Sequence, residues 1–99
     1  MIIVTGTLHA RPETFADVLA LSRDHLLRSR AEPGCVEHGV AADVDDPLRL
    51  VFFERWADAE SIRAHLKLPA SRAFGAAVAA RVDRPPTLAM FDARELPLR

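Results

Sequence analysis

Cys35 and His38 come nearest, among the residues of this chain, to a catalytic or metal-binding pair. Cys35 is the only cysteine, and it lies in the stretch RAEPGCVEHGV at residues 30–40. A cysteine beside a histidine can form a nucleophile with its base or supply two ligands to Zn²⁺. Residues 35–43 are predicted to form a β-strand, whose side chains alternate between two faces. Without a bulge, Cys35 and His38 therefore point to opposite faces and can form neither a nucleophile–base pair nor a shared metal site.

The other histidines give no metal-binding pattern either. His9, His25 and His65 lie in separate predicted elements, without HxxxH or CxxC spacing. We therefore predict no metal site and interpret His9, His25 and His38 as surface or interface residues. The chain also lacks a glycine-rich phosphate loop, a GxSxG elbow and any tyrosine, so ordinary hydrolase and nucleotide-binding functions find no support.

The composition indicates one small globular domain. The chain has 99 residues, of which 49% are apolar and 27% charged, with a net charge of −1. So balanced a chain offers no strongly basic face, which argues against nucleic acid or an anionic membrane as a partner. No apolar run is long enough to span a membrane, and the N-terminus MIIVTGTLHA does not resemble a secretory signal. A single cysteine cannot form an internal disulfide, and a cytoplasmic location is expected.

Hydrophobic periodicity predicts four strands and two helical regions, the second of which is divided into two helices. The predicted strands are 2–9, 35–43, 48–56 and 87–95, and the predicted helices are 12–30, 59–67 and 70–82. The order β-α-β-β-α-β, with the second α region divided at Pro69, is the ferredoxin-like plan of the α+β class. Helices then cover one face of an antiparallel sheet, and an apolar opposite face needs a partner. We expect a second copy of the chain to cover that open face in a two-fold dimer.

Gly6 and Glu54 are unusual within their predicted strands. Glycine weakens a strand interior, so Gly6 indicates either a bulge or the close approach of another group. Glu54 is a carboxylate in an apolar strand and must be paired if it is buried. An ion pair with Arg72, Arg81 or an arginine of a second subunit is favoured over a role as a general base.

Several short stretches together carry a family resemblance. They are Glu32-Pro33-Gly34-Cys35, Asp45-Asp46-Pro47, Phe53-Glu54-Arg55-Trp56, Asp58, Ala64-His65-Leu66, Pro69 and Phe74. In this order and spacing they resemble the antibiotic biosynthesis monooxygenase family, including the small quinol monooxygenases, over about residues 2–92 of the single domain 1–99. The resemblance implies a dimeric ferredoxin-like α+β barrel. It also implies insertion of oxygen into electron-rich rings such as quinols and polycyclic phenols, without flavin, haem or metal.

The resemblance also suggests which residues form the site. The pocket of the family lies between helices and sheet, where the candidate substrate-binding residues here are Gly6, Phe52, Trp56 and Phe74. His65 occupies the position that relatives direct toward their ligand, and it is the candidate proton acceptor. The resemblance is weaker at Ala70, where a histidine is frequent in the family. The residues that a related haem-degrading branch uses, which fall near Gly6, at His65 and near Gly75, are not kept, so haem degradation is not expected.

Three functions remain open at this point. The first is a cofactor-independent monooxygenase acting on a small aromatic substrate. The second is a non-catalytic ligand-binding or stress-response barrel whose pocket is filled by its own side chains. The third is another small enzyme, an isomerase or decarboxylase, on the same scaffold. The fold alone does not separate them.

Overall fold

The computed structural model describes all 99 residues and shows seven elements. They are β1 (Ile2–His9), α1 (Phe15–Ser29), β2 (Cys35–Ala42), β3 (Arg49–Trp56), α2 (Ala59–Lys67), α3 (Pro69–Ala79) and β4 (Thr87–Asp92). The four strands form one antiparallel sheet in the order β2-β3-β1-β4. The predicted ferredoxin-like α+β fold is therefore confirmed. None of the three helices combines the length and apolar character that a membrane crossing requires.

Several predicted boundaries move inward, each for a local reason. The first helix begins at Phe15, after a turn in which the Thr14 hydroxyl accepts a hydrogen bond from the Arg11 amide and donates one to the Arg81 carbonyl. The last helix ends at Ala79, because Val82 forms a bridge with the backbone at the end of β1. The last strand ends at Asp92 rather than at residue 95, because Asp92 already pairs with the first residue of β1.

The helices bury one face of the sheet. Along β1 and β3 the buried residues alternate with exposed or half-buried ones, and directly paired residues share a face. The larger core cluster consists of Leu8, Ala10, Val18, Leu50, Phe52 and Val78. A smaller cluster of Val4, Trp56 and Ile62 lies toward α2. Strand β4 differs, since all six of its residues are exposed. The helical layer therefore stops short of this edge of the sheet.

The turn between α1 and β2 depends on Gly34. Its φ of +81° is the only positive φ in the chain, a conformation that favours glycine. A Cβ at this position would also collide with the side chain of Ser61 in α2. Gly34 therefore lets the loop pack directly against α2, and its carbonyl accepts a hydrogen bond from the Ala57 amide.

Candidate functional site

A cavity of about 220 Å³ lies between α2, α3 and the sheet. Its wall includes Gly6, Leu8, Phe52 and Glu54 from the sheet, His25 from α1, His65 and Leu66 from α2, and Phe74, Gly75 and Val78 from α3. Pro86, Thr87 and Leu88 complete it beside the exposed strand β4. The cavity thus opens toward the uncovered edge of the sheet and combines an apolar wall with buried polar groups.

The cavity floor requires the absence of a side chain at Gly6. A Cβ on Gly6 would lie 2.9 Å from the carbonyl oxygen of Thr87 and 3.5 Å from Cδ1 of Leu88. Pairing with both neighbouring strands runs without interruption through Gly6, so no bulge is present there. Of the two sequence interpretations, the close approach of another group is therefore the correct one.

His65 lies on the cavity wall and is held by a carboxylate. Its Nδ1 is 2.7 Å from Oε1 of Glu32, and its side chain is buried. A carboxylate can only accept, so Nδ1 carries the hydrogen that it donates to Glu32, and Nε2 is the ring nitrogen that Glu32 leaves free. Glu32 follows α1 in the turn before Gly34, whereas His65 lies in the last turn of α2. The pair thus fixes both the tautomer and the orientation of the imidazole.

Glu54 is buried in the same region but forms no pair with an arginine. Oε1 accepts a hydrogen bond of 2.8 Å from the indole Nε1 of Trp56 and lies 3.3 Å from Nε2 of His38. Burial raises the pKa of the Glu54 carboxyl, although the Trp56 hydrogen bond opposes that rise. The expectation of an arginine partner was therefore wrong, because β3 directs Glu54 under the helices, where the polar groups within reach are an indole and imidazoles.

Trp56 takes a position different from the one predicted. It was expected to line the substrate pocket, but it is fully buried in the cluster with Val4 and Ile62 and is not part of the cavity wall. Its indole ring packs 4.8 Å from the ring of His65, measured between centroids. Trp56 therefore supports Glu54 and His65 from behind, while Gly6, Phe52, Phe74 and His65 lie on the wall.

The interpretation of His25 and His38 as surface or interface residues was wrong, because both are buried within the chain itself. Both side chains are buried, and with His65 they form a cluster in which one ring nitrogen from each lies within 4.8 Å of the others. His25 also stacks in parallel on Phe74 at a centroid distance of 4.1 Å. Neither nitrogen of His38, which is 2% exposed, has a hydrogen-bond partner. His9 is half-buried, and its Nε2 lies 3.4 Å from Asp46.

Burial keeps two of these imidazoles neutral. It lowers the pKa of His25 to about 3, with further lowering from the nearby His65 and His38. Burial and the nearby His65 lower the pKa of His38 to about 4. Both rings are therefore unprotonated at neutral pH and can act as acceptors or metal ligands. The premise that the histidines are scattered, on which the absence of a metal site was predicted, does not hold.

A β-bulge explains why His38 faces the helices. The register of β2 against β3 shifts between Cys35 and Glu37, so that Cys35 pairs with Trp56 and His38 pairs with Glu54. Both therefore lie on the helix-facing side, contrary to the expectation of opposite faces. Cys35 packs against the Val4, Trp56 and Ile62 cluster, and burial raises the pKa of its thiol. A protonated, half-buried thiol is a packing residue rather than a nucleophile.

Sequence reasoning missed Glu32, His25, His38 and Gly75 as parts of this site. The buried residues of α1 are Val18, Ser22, His25, Leu26 and Ser29, so helical periodicity placed His25 on the core stripe. The other three carried no comparable signal. Glu32 reaches His65 across 33 residues, and the face of His38 depends on the bulge.

The fold and the site together define the class of this protein. It is a small α+β domain with an antiparallel sheet and a cavity between the helices and the sheet. The sequence profile described as antibiotic biosynthesis monooxygenase matches residues 1–77. The chain belongs to the antibiotic biosynthesis monooxygenase family, which confirms the predicted resemblance and a monooxygenase-like scaffold.

Solved structures agree with this assignment. A crystal structure of an antibiotic biosynthesis monooxygenase is 26% identical, with a TM-score of 0.88, and the match covers 96% of this chain and 100% of that one. A candidate antibiotic biosynthesis monooxygenase from Deinococcus radiodurans is also 26% identical, with a TM-score of 0.93 over 98% of this chain and 96% of that one. Rv0793 from Mycobacterium tuberculosis shares the fold, with 23% identity, a TM-score of 0.89 and 96% coverage of both chains.

Among curated proteins, an uncharacterized protein of Synechocystis sp. is 29% identical over 68 residues. The match covers 69% of this chain and 46% of that protein, so it spans about half the length of that relative.

Proposed function

We propose that this protein is a cytoplasmic, homodimeric monooxygenase that oxidises a small quinol or related phenol with dioxygen, without a bound cofactor. The observation that carries the proposal is the cavity, in which an apolar wall containing Phe52 and Phe74 meets the imidazole of His65. Aromatic side chains suit a flat ring, and a histidine held by a carboxylate suits a proton acceptor. Membership in the antibiotic biosynthesis monooxygenase family supports the reaction class.

The cavity size narrows the proposed substrate. An apolar cavity of about 150 Å³ accommodates benzene, and this cavity measures about 220 Å³. Drug-sized ligands usually occupy about 300 Å³ or more. We therefore favour a substrate with one or two rings over a larger polycyclic phenol, with any substituent directed out past β4.

The proposed reaction balances without an added reductant. Nε2 of His65 takes the proton of one quinol hydroxyl, and the resulting phenolate passes one electron to dioxygen. The carbon radical and superoxide then combine to form a C–O bond. Protonation of the peroxide by the His65 imidazolium, followed by cleavage of the O–O bond, leaves one oxygen on the ring and releases the other as water. The products are a hydroxyquinone and water, and the quinol supplies all four electrons that dioxygen accepts. The protein contributes orientation, exclusion of water and proton transfer.

The two other functions fit the cavity less well. A binding barrel filled by its own side chains would leave no cavity, whereas about 220 Å³ is open here. An isomerase or decarboxylase would be favoured by a cation beside the imidazole or carboxylate, to stabilise an enolate. The wall contains no lysine or arginine.

Filling the cavity from Gly75 tests the proposal directly. Nothing lies within 4 Å of a Cβ added there, and Gly75 is inside α3, where glycine is a poor helix former. We expect Gly75→Leu to lower dioxygen uptake with a panel of one- and two-ring quinols by at least about tenfold, with thermal stability retained. Gly75→Ala, which adds only one methyl group, is the matched control and should retain most activity. Uptake that is absent with every quinol in the wild type, or equal in the leucine variant, would count against the proposal.

The proposed dimer rests on the sheet face that the helices leave open. Strand register assigns to this face Ile3, Thr5, Thr7, His9, Glu37, Gly39, Ala41, Arg49, Val51, Phe53, Arg55, Thr87, Ala89 and Phe91. Phe53 is 39% exposed and Phe91 is 52% exposed. Arg55 pairs with Glu37 at 2.6 Å, and Arg49, at one end of the face, pairs with a neighbouring aspartate. Half of the residues on this face are apolar, and the charged ones are already paired, so the face suits a second copy of itself, as a two-fold interface requires.

Sedimentation of a Phe53 variant tests the dimer. We expect the wild type to sediment as a dimer at micromolar concentration. Phe53→Arg should shift it toward monomer or unfolded chain, because each subunit would then bury an arginine in the proposed interface. Val44→Arg alters a side chain that is 97% exposed in the β2–β3 turn and should leave the dimer intact. A folded wild-type monomer at that concentration would contradict the paired-sheet proposal.

A further inference from the structure

We propose that His25, His38 and His65 form a binding site for one divalent transition-metal ion of the Zn²⁺ class, at the inner wall of the cavity. The inference goes beyond the proposed oxidation and does not depend on it. It rests on the convergence of three buried imidazoles from α1, β2 and α2, each contributing a nitrogen within 4.8 Å of the other two. Ring centroids in the cluster are 5.1 to 5.8 Å apart.

His38 supplies the observation that points most directly to a ligand. It is 2% exposed, and both of its ring nitrogens lack a hydrogen-bond partner, although Glu54 Oε1 lies 3.3 Å from Nε2. A buried polar group without a hydrogen-bond partner destabilises the folded state. A metal ion coordinated by the ring would satisfy one of these nitrogens. Imidazole is a ligand that suits Zn²⁺, Cu²⁺, Ni²⁺ and Fe²⁺.

The neighbouring carboxylates match the requirements of such a site. Metal-binding histidines commonly donate their second N–H to a carboxylate, and Glu32 accepts from His65 in that way at 2.7 Å. The nitrogen that Glu32 leaves free is then available to the ion. Glu54, whose Oε1 lies 3.3 Å from Nε2 of His38, provides a second carboxyl group beside the cluster. Two carboxylates near the cluster offset the two charges of the cation in a buried environment.

The geometry is close to that of a three-histidine site. Nitrogens bound to tetrahedral Zn²⁺ at about 2.0–2.1 Å lie about 3.4 Å from one another, compared with separations here of up to 4.8 Å. Metal binding would therefore draw the three nitrogens closer together. His25 and His65 both lie on the cavity wall, so the remaining coordination position would face the cavity. Sites with three protein ligands and one open position are the kind that accept an exogenous ligand.

The site would also affect the proposed oxidation. A metal ion bound to the free nitrogen of His65 occupies the lone pair that otherwise takes the substrate proton. Zn²⁺ should therefore inhibit quinol oxidation if both proposals hold. Metal binding itself is measurable whether or not a quinol is oxidised, so the two proposals can fail separately.

Titration of the chelator-treated, full-length protein with Zn²⁺ tests the inference. Calorimetry or competition with a chromogenic chelator should show one Zn²⁺ per chain. His38→Gln and His25→Phe should each weaken binding by at least about a hundredfold, and Glu32→Gln by about ten- to a hundredfold. His9→Gln removes a histidine outside the cluster and should leave affinity unchanged.

Co²⁺ provides a spectroscopic test of the same site. It should give the intense visible absorption of a four-coordinate ion, and this absorption should be lost in His38→Gln and His25→Phe.

The folded state of each variant is checked first by circular dichroism, and the phenyl ring introduced by His25→Phe can keep the stack on Phe74. If a variant fails to fold, side-chain NMR of the wild type decides, because Zn²⁺ should shift the ring signals of His25, His38 and His65 together and leave those of His9 in place. The inference is overturned if the wild type does not bind Zn²⁺ or Co²⁺. It is equally overturned if binding survives in the cluster variants or the bound ion perturbs His9 alone.

Discussion

Replacement of His65 by glutamine is expected to slow quinol oxidation by about a hundredfold or more, because general-base catalysis contributes about 10²- to 10⁴-fold. Glutamine is polar and of similar length, so its amide N–H can still donate a hydrogen bond to Glu32, but it cannot take a proton. The rate is measured as dioxygen uptake by metal-free protein with the quinol that the wild type uses best. Circular dichroism and thermal unfolding confirm that the variant is folded.

The pH dependence separates a base from a residue that only shapes the cavity. A phenol ionises in water with a pKa of about 10. As the pH rises, a growing fraction of the substrate is therefore already deprotonated and does not need a general base. The deficit of His65→Gln should therefore shrink between pH 7 and pH 10. Glu32→Gln should cause a smaller loss, about tenfold, because it releases the imidazole without removing it. His9→Gln should have no effect. A His65→Gln deficit that is constant with pH would assign His65 a structural role, and equal rates would remove it from the mechanism.

The fold was predictable because each element carries its own local signal. Strand β1 is a β-branched run, Asp58 accepts from the Ser61 amide to cap α2, and Pro69 begins α3 as expected for proline in a first helical turn. These signals depend on neighbours in sequence. They are therefore readable without knowledge of the tertiary structure.

Only some of the polar residues of the site were predictable. One extra residue in β2 decides which face of the sheet the side chains of that strand occupy. Val36 is the extra residue at the bulge in β2, and nothing in CVEH marks it as different from an ordinary strand. Without the bulge, His38 would project from the open face and Cys35 alone would face the helices. The bulge therefore converts a predicted surface histidine into a member of the buried cluster.

The cluster also shows why Glu54 was misinterpreted. A buried carboxylate must be compensated, and an arginine is the usual partner. Here the compensation comes from the Trp56 indole and from a raised pKa. The relevant contact lies two residues away on the same face of β3, which is visible in the sequence. The polar surroundings of Glu54 also include His25 from α1 and His38 from β2. The sequence did not indicate that these two residues would lie near it.

Acidification of the metal-free protein is expected to unfold it well above the pH at which exposed carboxylates titrate. In the unfolded chain, His25 and His38 take up protons near pH 6.5. In the folded protein their pKa values are lowered, by burial first, to about 3 and about 4. The unfolded state therefore binds more protons between about pH 6.5 and pH 4, and the free energy of unfolding falls as the pH falls. Each histidine contributes about 1.4 kcal/mol per pH unit.

Glu54 acts in the opposite direction and limits the effect. Its raised pKa means that the folded protein keeps a proton that the unfolded chain has already lost, so this group favours folding as the pH falls. Half-buried Asp43 and exposed Asp58, whose pKa values are lowered first by backbone hydrogen bonds, add acid sensitivity only near and below about pH 4. The destabilising contributions of the two histidines exceed the stabilising contribution of Glu54. The free energy of unfolding therefore falls between pH 6 and pH 4.5.

Urea unfolding of metal-free protein at pH 7, 6, 5 and 4.5 measures this loss. The wild type should lose about 1–3 kcal/mol per pH unit over this range, which is a large share of the stability of a small domain. His25→Phe removes one of the two titrating histidines and keeps the aromatic stack, so its slope should be shallower than that of the wild type by about 1.4 kcal/mol per pH unit. His9→Gln should keep the full slope. If His25→Phe and the wild type lose stability at the same rate, His25 is protonated in the folded protein, and the neutral cluster that both the proton-transfer and metal-binding proposals describe does not exist.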